Sequence, residues 1–136
     1  MYTNGQYQIK MTTSGLAANS SGVVGLKWSP GFIPHVVRAF SGWNTSTLAS
    51  GDAMVASLTN RALTATTATI VATINGNPAP GYGKYVTGLN KKVTPGQELA
   101  LHISTGASGA ALMAFTVWVE PVWEEPANNS LMSVST

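Results

Sequence analysis

Residues 89–132 read LNKKVTPGQELALHISTGASGAALMAFTVWVEPVWEEPANNSLM, and this stretch decides the fold. Glu98 to Ser104 alternates, with Leu99, Leu101 and Ile103 on one side and Glu98, Ala100 and His102 on the other, the period of two that marks a strand with one buried face. Ahead of it, Thr94-Pro95-Gly96-Gln97 puts Pro and Gly at the second and third positions of a type II turn, the third requiring a positive φ. Behind it, Thr105 to Gly109 is a small-residue turn. Leu112 to Val122 is then apolar almost without a break, as expected of a central strand covered on both faces. From Glu124 onwards the composition shifts to Glu-Glu-Pro-Ala-Asn-Asn-Ser, an extended tail. The segment is strongly built yet carries almost nothing that performs chemistry, which predicts a surface-forming module.

Working towards the N-terminus, β-signals recur and helix signals do not. Tyr7 to Thr12 alternates, Val23 to Trp28 reads as a second strand, and after the Ser29-Pro30-Gly31 break Pro34 confines a third strand to His35 to Phe40. Asp52 to Leu58 is the fourth, entered from Ser50-Gly51, with Met54, Ala56 and Leu58 on one face. Ala62 to Ile74 is rich in Thr, Ile and Val, which favours strand over the helix that its alanines allow. Residues 75–83 form a Gly/Pro/Asn loop, and Lys84 to Thr87 and Asn90 to Val93 flank Gly88 as short strands. Eight or so strands without β-helix-β alternation predict an all-β, antiparallel two-sheet sandwich, with a jelly roll preferred over an immunoglobulin-like Greek key. The expected organisation is one domain over residues 1–123, residues 1–8 being an extended arm, followed by a tail over 124–136.

Composition narrows the function. A chain of 136 residues buries roughly two-thirds of its unfolded surface, enough for an independent core. Only 9% of residues are charged against about 25% in an ordinary domain, and such a weakly charged, hydroxyl-rich surface suits packing against other subunits. The formal net charge is +2, and Lys91 and Lys92 are the one adjacent basic pair, so no nucleic-acid partner is expected. The start MYTNGQYQIKMTTSG lacks a basic region followed by an apolar core, and no apolar run approaches the ~20 residues of a membrane span; neither a signal peptide nor a membrane partner is expected. The triplets at Asn19, Asn44 and Asn128 are then chance glycosylation matches. There is no cysteine, which removes disulfide and thiol chemistry.

The catalytic inventory is thin. Asp52, Glu98, Glu120, Glu124 and Glu125 are the carboxylates and His35 and His102 the imidazoles. Gly106-Ala107-Ser108-Gly109-Ala110 lacks the final glycine and following helix of a nucleophile elbow. Glu98 and Glu120 make a glycosidase pair only if their strands are neighbours; Glu98 on a polar strand face and Glu120 before Pro121 read more simply as structural. Isolated histidines with no close carboxylate or cysteine spacing predict no metal site, and Pro78 with Tyr85 breaks a phosphate loop at Gly83-Lys84. The expectation is no enzyme, no metal and no cofactor. Among the aromatic residues, Trp118 sits mid-run and is expected in the core, whereas Trp43 and Trp123 lie beside turn or tail residues and are candidates to anchor a partner. The competing function is a lectin-like, carbohydrate-binding module using Trp43, Trp123 or the Tyr82/Tyr85 loop. Tyr2 and Tyr7 in the arm, with Leu131 and Met132 in the tail, complete the candidate protein-contact residues, since a solvated terminus has little reason to carry them.

At Val93-Thr94-Pro95-Gly96-Gln97-Glu98-Leu99, Gly106-Ala107-Ser108-Gly109-Ala110, the Phe115 to Pro121 strand and the closing Glu125-Pro126-Ala127-Asn128-Asn129-Ser130-Leu131-Met132, the chain resembles the capsid decoration, or cement, proteins of tailed bacteriophages. The first half matches only through its small-residue β character and the Ile33 to Ala39 strand. The resemblance implies a non-enzymatic virion component assembled in the host cytoplasm. It further implies a homotrimer on the capsid exterior, with the major capsid protein as partner.

Overall fold

The computed structural model describes residues 5–12, 19, 21–44, 54–76, 81–105 and 113–123. Among them are nine strands and no helix: β1 (Tyr7–Thr12), β2 (Ser21–Trp28), β3 (His35–Asn44), β4 (Val55–Ala62), β5 (Thr69–Asn75), β6 (Gly83–Val86), β7 (Lys91–Val93), β8 (Gln97–Ser104) and β9 (Met113–Pro121). They form an all-β sandwich of two antiparallel sheets. One sheet runs β1-β9-β3-β6, with β7 also on β3, and the other runs β2-β8-β4-β5. Both β6 and β7 lie along the edge of β3 away from β9, opposite Phe40 to Trp43 and His35 to Val37 respectively. Together they make one edge strand, interrupted where Gly88 takes φ +71 and the Leu89 N–H still donates to the Arg38 carbonyl at 3.1 Å. Only β4 to β5 and β6 to β7 connect strands of the same sheet; every other connection crosses to the opposite sheet.

Alternation along the strands puts one set of side chains between the sheets. Ile9 and Met11 of β1, Val37 and Phe40 of β3, and Phe115, Val117 and Val119 of β9 meet Ala56 and Leu58 of β4, Ala72 and Ile74 of β5, and Leu99, Leu101 and Ile103 of β8 in a single core. The Phe40 and Phe115 rings stack within it, centroids 5.8 Å apart and planes 12° from parallel. The turn before β8 has the expected geometry: Gly96 is at φ +87 and the Gln97 N–H donates to the Thr94 carbonyl at 3.0 Å, with the Gln97 side chain accepting from the Thr94 N–H at 3.0 Å. Three connections meet at that end of the sandwich. Ser29 Oγ donates to the Gln97 carbonyl (2.8 Å), the Leu63 N–H to that of Gly96 (2.8 Å), and the Val122 N–H to that of Pro34 (2.8 Å).

Several expectations change. The fourth strand, described from Val55, runs on to Ala62, past the expected end at Leu58, because its cross-strand partners on β8 extend to Gln97; Asp52 and Ala53 lie outside the described residues. Ala62 to Ile74 is not one strand: residues 63–68 turn the chain and β5 begins at Thr69. Tyr7 and Gln8 belong to β1, opposite Val119 and Trp118, so any arm is shorter than residues 1–8. β9 is central, but only its Phe115, Val117, Val119 face enters the core; Ala114, Thr116 and Trp118 are half-buried on the outside. Trp118 is therefore not a core residue. The turn expected over Thr105 to Gly109 lies, after Thr105, outside the described residues, as does the tail 124–136.

A ring removed from the stacked pair leaves a cavity both sheets border. Phe115→Ala is expected to lower the unfolding free energy in urea by about 3–5 kcal/mol, while Phe32→Ala, at a residue 98% exposed, shifts it by no more than about 0.5 kcal/mol.

Candidate functional site

The outer face of the β1-β9-β3-β6 sheet carries the site. On β3, Ala39, Ser41 and Trp43 point away from the core; their partners are Trp118, Thr116 and Ala114 on β9 and, for Ser41 and Trp43, Tyr85 and Gly83 on β6. Small residues thus form a floor between three aromatic rings. The result is a groove of about 450 Å³ lined by Ala39, Ser41, Trp43, Gly83, Tyr85 and Trp118, with Gln6, Lys84 and Thr87 at its rim. Trp43 is 53% and Tyr85 74% exposed. Gly83 is required here for space: a Cβ on it would stand 2.4 Å from Cε3 of Trp43, so the indole rests on bare backbone. Beside the groove, Lys84 Nζ donates to the Asn75 carbonyl of β5 at 2.5 Å, tying the edge of one sheet to the edge of the other.

Near the start of β3 a second polar cluster links three strands. His35 is buried; its Nδ1 donates to the Ile33 carbonyl at 2.7 Å, which leaves Nε2 to accept from the Tyr7 hydroxyl at 2.7 Å. The Tyr7 and Trp28 rings stand edge-on to the imidazole, at 5.5 and 5.1 Å between centroids. Burial pushes the Tyr7 hydroxyl above its ordinary pKa of 10.0.

The carboxylates are held apart. Glu98, only 6% exposed, accepts from Arg61 Nε at 2.6 Å and lies 3.8 Å from Lys27 Nζ. Glu120 accepts from Arg38 Nε at 2.8 Å, and Arg38 Nη1 also donates to Asn90 Oδ1 at 2.6 Å. The two acids lie in different sheets, so the neighbouring-strand condition for a glycosidase pair is not met. Glu98 lies on the polar strand face expected of it, where its two cations cover it. His102 pairs in register with Ser57, whose hydroxyl lies 3.4 Å from that of Thr73. Among the described residues no group of three or more His, Asp or Glu side chains converges as metal ligands.

Of the contact candidates, Trp43 lies in the groove and Trp123 (62% exposed) at the other end, after β9, so the two do not share a site. Tyr7 is engaged with His35. Tyr2, Leu131 and Met132 lie outside the described residues. Sequence reasoning missed Trp118 as a groove wall, and it missed Phe32. The signal for Phe32 was local: between Pro30-Gly31 and Pro34 the chain turns too tightly to send a ring inward.

No protein-family model and no curated protein matches the sequence. Solved structures that match include a chain described under "Bacillus endospore appendages form a novel family of disulfide-linked pili", at TM-score 0.48 and 13% identity over 90% of this chain and 93% of that one. Another is from infectious bursal disease virus, Gx strain, at TM-score 0.42 and 14% identity over 85% of this chain and 32% of that one. At these identities and scores the likeness carries no functional argument.

Two outcomes test this geometry. Gly83→Ala forces the indole of Trp43 off its seat, changing near-UV dichroism and tryptophan emission, while the exposed ring swings aside for about 1 kcal/mol or less of stability. Because the Tyr7 hydroxyl titrates higher folded than unfolded, its contribution is complete below the unfolded value and declines as pH rises through the folded one. Urea unfolding from about pH 8 to pH 11 should show that alkaline decline in the native chain, and Tyr7→Phe should flatten it while lowering stability at neutral pH by about 0.5–1.5 kcal/mol for the lost bond to His35.

Proposed function

We propose that this chain is a capsid decoration protein, a non-enzymatic virion component that lies as a homotrimer on the outside of a phage head and links neighbouring major capsid subunits. The observation that carries this is where the apolar and charged groups have gone. Among the described residues both buried carboxylates are neutralised by arginine, whereas Trp43, Tyr85 and Phe32 stand in water. That distribution leaves little for catalysis and much for contact. The segments that resemble cement proteins support it too, since the Pro-Gly turn leads into the amphipathic β8 and the last described strand closes on Glu120-Pro121. The strand order β1-β9-β3-β6 over β2-β8-β4-β5 favours a jelly-roll wrapping over an immunoglobulin-like one.

A bound protein stabilises the state it prefers by mass action, by about 2.7 kcal/mol at a hundredfold excess over Kd, and three linked contacts add avidity. Purified particles should therefore carry this chain in stoichiometric amounts, and particles stripped of it should lose their contents at a lower temperature and recover on re-addition. Its absence from particles defeats the reading.

A second reading is favoured by one observation, the groove walled by Trp43, Tyr85 and Trp118 with hydroxyls of Ser41 and Thr87 nearby. Aromatic walls with a few polar groups suit the apolar face of a sugar ring. A glycan array with tryptophan-fluorescence titration separates the two: a decoration protein gives no signal above background, and a lectin-like module gives saturable quenching that Tyr85→Ala removes.

A further inference from the structure

The described surface contains a knob and a hole that the fold does not use. The knob is Phe32, 98% exposed at the tip of the loop 29–34, where Gly31 takes φ +70 between Pro30 and the residues leading to Pro34. Its support is fixed. Ser29 Oγ, the His35 ring and the Val122 N–H each hydrogen-bond across the base of the loop, to Gln97, Ile33 and Pro34 carbonyls at 2.8, 2.7 and 2.8 Å. With the loop base held, burying this ring costs only its own side-chain freedom, and an exposed aromatic of this kind suits an interface anchor. The hole is the groove between Trp43, Tyr85 and Trp118. A cavity of about 150 Å³ already takes a benzene ring, and the groove holds about 450 Å³ with three aromatic side chains in its lining.

Within one chain the two do not meet. Strands rise roughly 3.3 Å per residue, so Ser41 in the groove floor lies roughly 20 Å along β3 from His35, and no residue of the loop lines the groove. Charge does not oppose their meeting between chains. Residues 29–34 contain no charged side chain, and Lys84, the charged residue lining the groove, directs its ammonium to the Asn75 carbonyl.

We propose that Phe32 of one copy seats in the Trp43–Tyr85–Trp118 groove of the next. Knob and groove are different patches, so the contact is heterologous: each copy gives one knob and receives one, and such a chain of contacts ends in a ring where the rotation between copies closes. The ring size of three rests on the decoration reading; the contact does not.

Sedimentation velocity of four samples decides it. The native chain at tens of micromolar should sediment as a trimer. Phe32→Ser, lacking the knob, and Ser41→Phe, with the groove floor filled, should each sediment as monomers, the dissociation constant of the contact rising about 30-fold or more. Mixed one to one at higher concentration, the two variants should form a dimer and nothing larger, because one intact knob meets one intact groove and neither end can propagate. If Ser41→Phe loses its native circular dichroism, Tyr85→Ala, at a residue 74% exposed, replaces it in the same mixture. A monomeric native chain, trimers persisting in either variant, or a mixture that stays monomeric overturns the contact. Particles without the protein but with complementing variants defeat the decoration reading alone, and decorated particles with non-complementing variants defeat the contact alone.

Discussion

The apolar layer between the sheets is the constraint from which the rest follows. Leu99, Leu101 and Ile103 on one central strand and Phe115, Val117 and Val119 on the other are all buried in a shared core, and the period of two leaves no choice about what their neighbours do. Once those six point inward, Glu98, Ala100 and His102 must face out from one sheet, and Ala114, Thr116 and Trp118 from the other. A slip of one residue in either strand would exchange the two sets and place Glu98 in the core. The outer faces are thus decided by the inner one, and the functional question becomes what those outer faces carry.

They carry different things. On the β8 side the outward acid is covered: Arg61 and Lys27 close over Glu98, and Arg61 Nη1 also reaches the Ala65 carbonyl at 3.2 Å, binding the 63–68 turn to the sheet. A buried acid held this way gives little net stability, yet removing one partner is costly, so the pair fixes the register of β4 against β8 more than it strengthens the fold. On the β9 side the outward row has small residues at the floor and rings at the sides. At its margin Arg38 bridges Glu120 and Asn90. One face is locked, and the other is left with a groove.

How much of this was legible in the sequence depends on the range of the interaction that decides each residue. β1 was readable end to end, because alternation is local, and so was the Thr94 to Gln97 turn, because Pro and Gly state their dihedral angles directly. Trp118 was misplaced because an unbroken apolar run suggests burial on both faces; that Ala39 and Ser41 lie beneath it, too small to cover it, depends on strand pairing no local window contains. Glu98 was readable as an outward residue on a polar strand face, but not its burial, because the arginine that covers it is 37 residues away. The stretch after Ala62 failed for the opposite reason. Thr-rich sequence has β propensity whether or not a partner strand is present, and residues 63–68 have none recorded in the sheet, since β8 ends its pairing with β4 at Gln97.

The interruption between β6 and β7 links fold to surface. A continuous edge strand opposite β3 would present an unbroken row of amide groups for pairing with another chain, the usual hazard of an open sheet. Here Gly88 at φ +71 breaks that row after four residues of β6, and Lys84 is drawn across to the Asn75 carbonyl of β5, two features that make the edge a poorer template for strand addition. With backbone pairing discouraged there, association falls to side chains on the flat of the sheet, where Gly83 lets Trp43 lie down and Tyr85 stands free. Lys84 belongs to both arrangements: it ties β6 to the edge of the other sheet and lines the groove beside Trp43 and Tyr85.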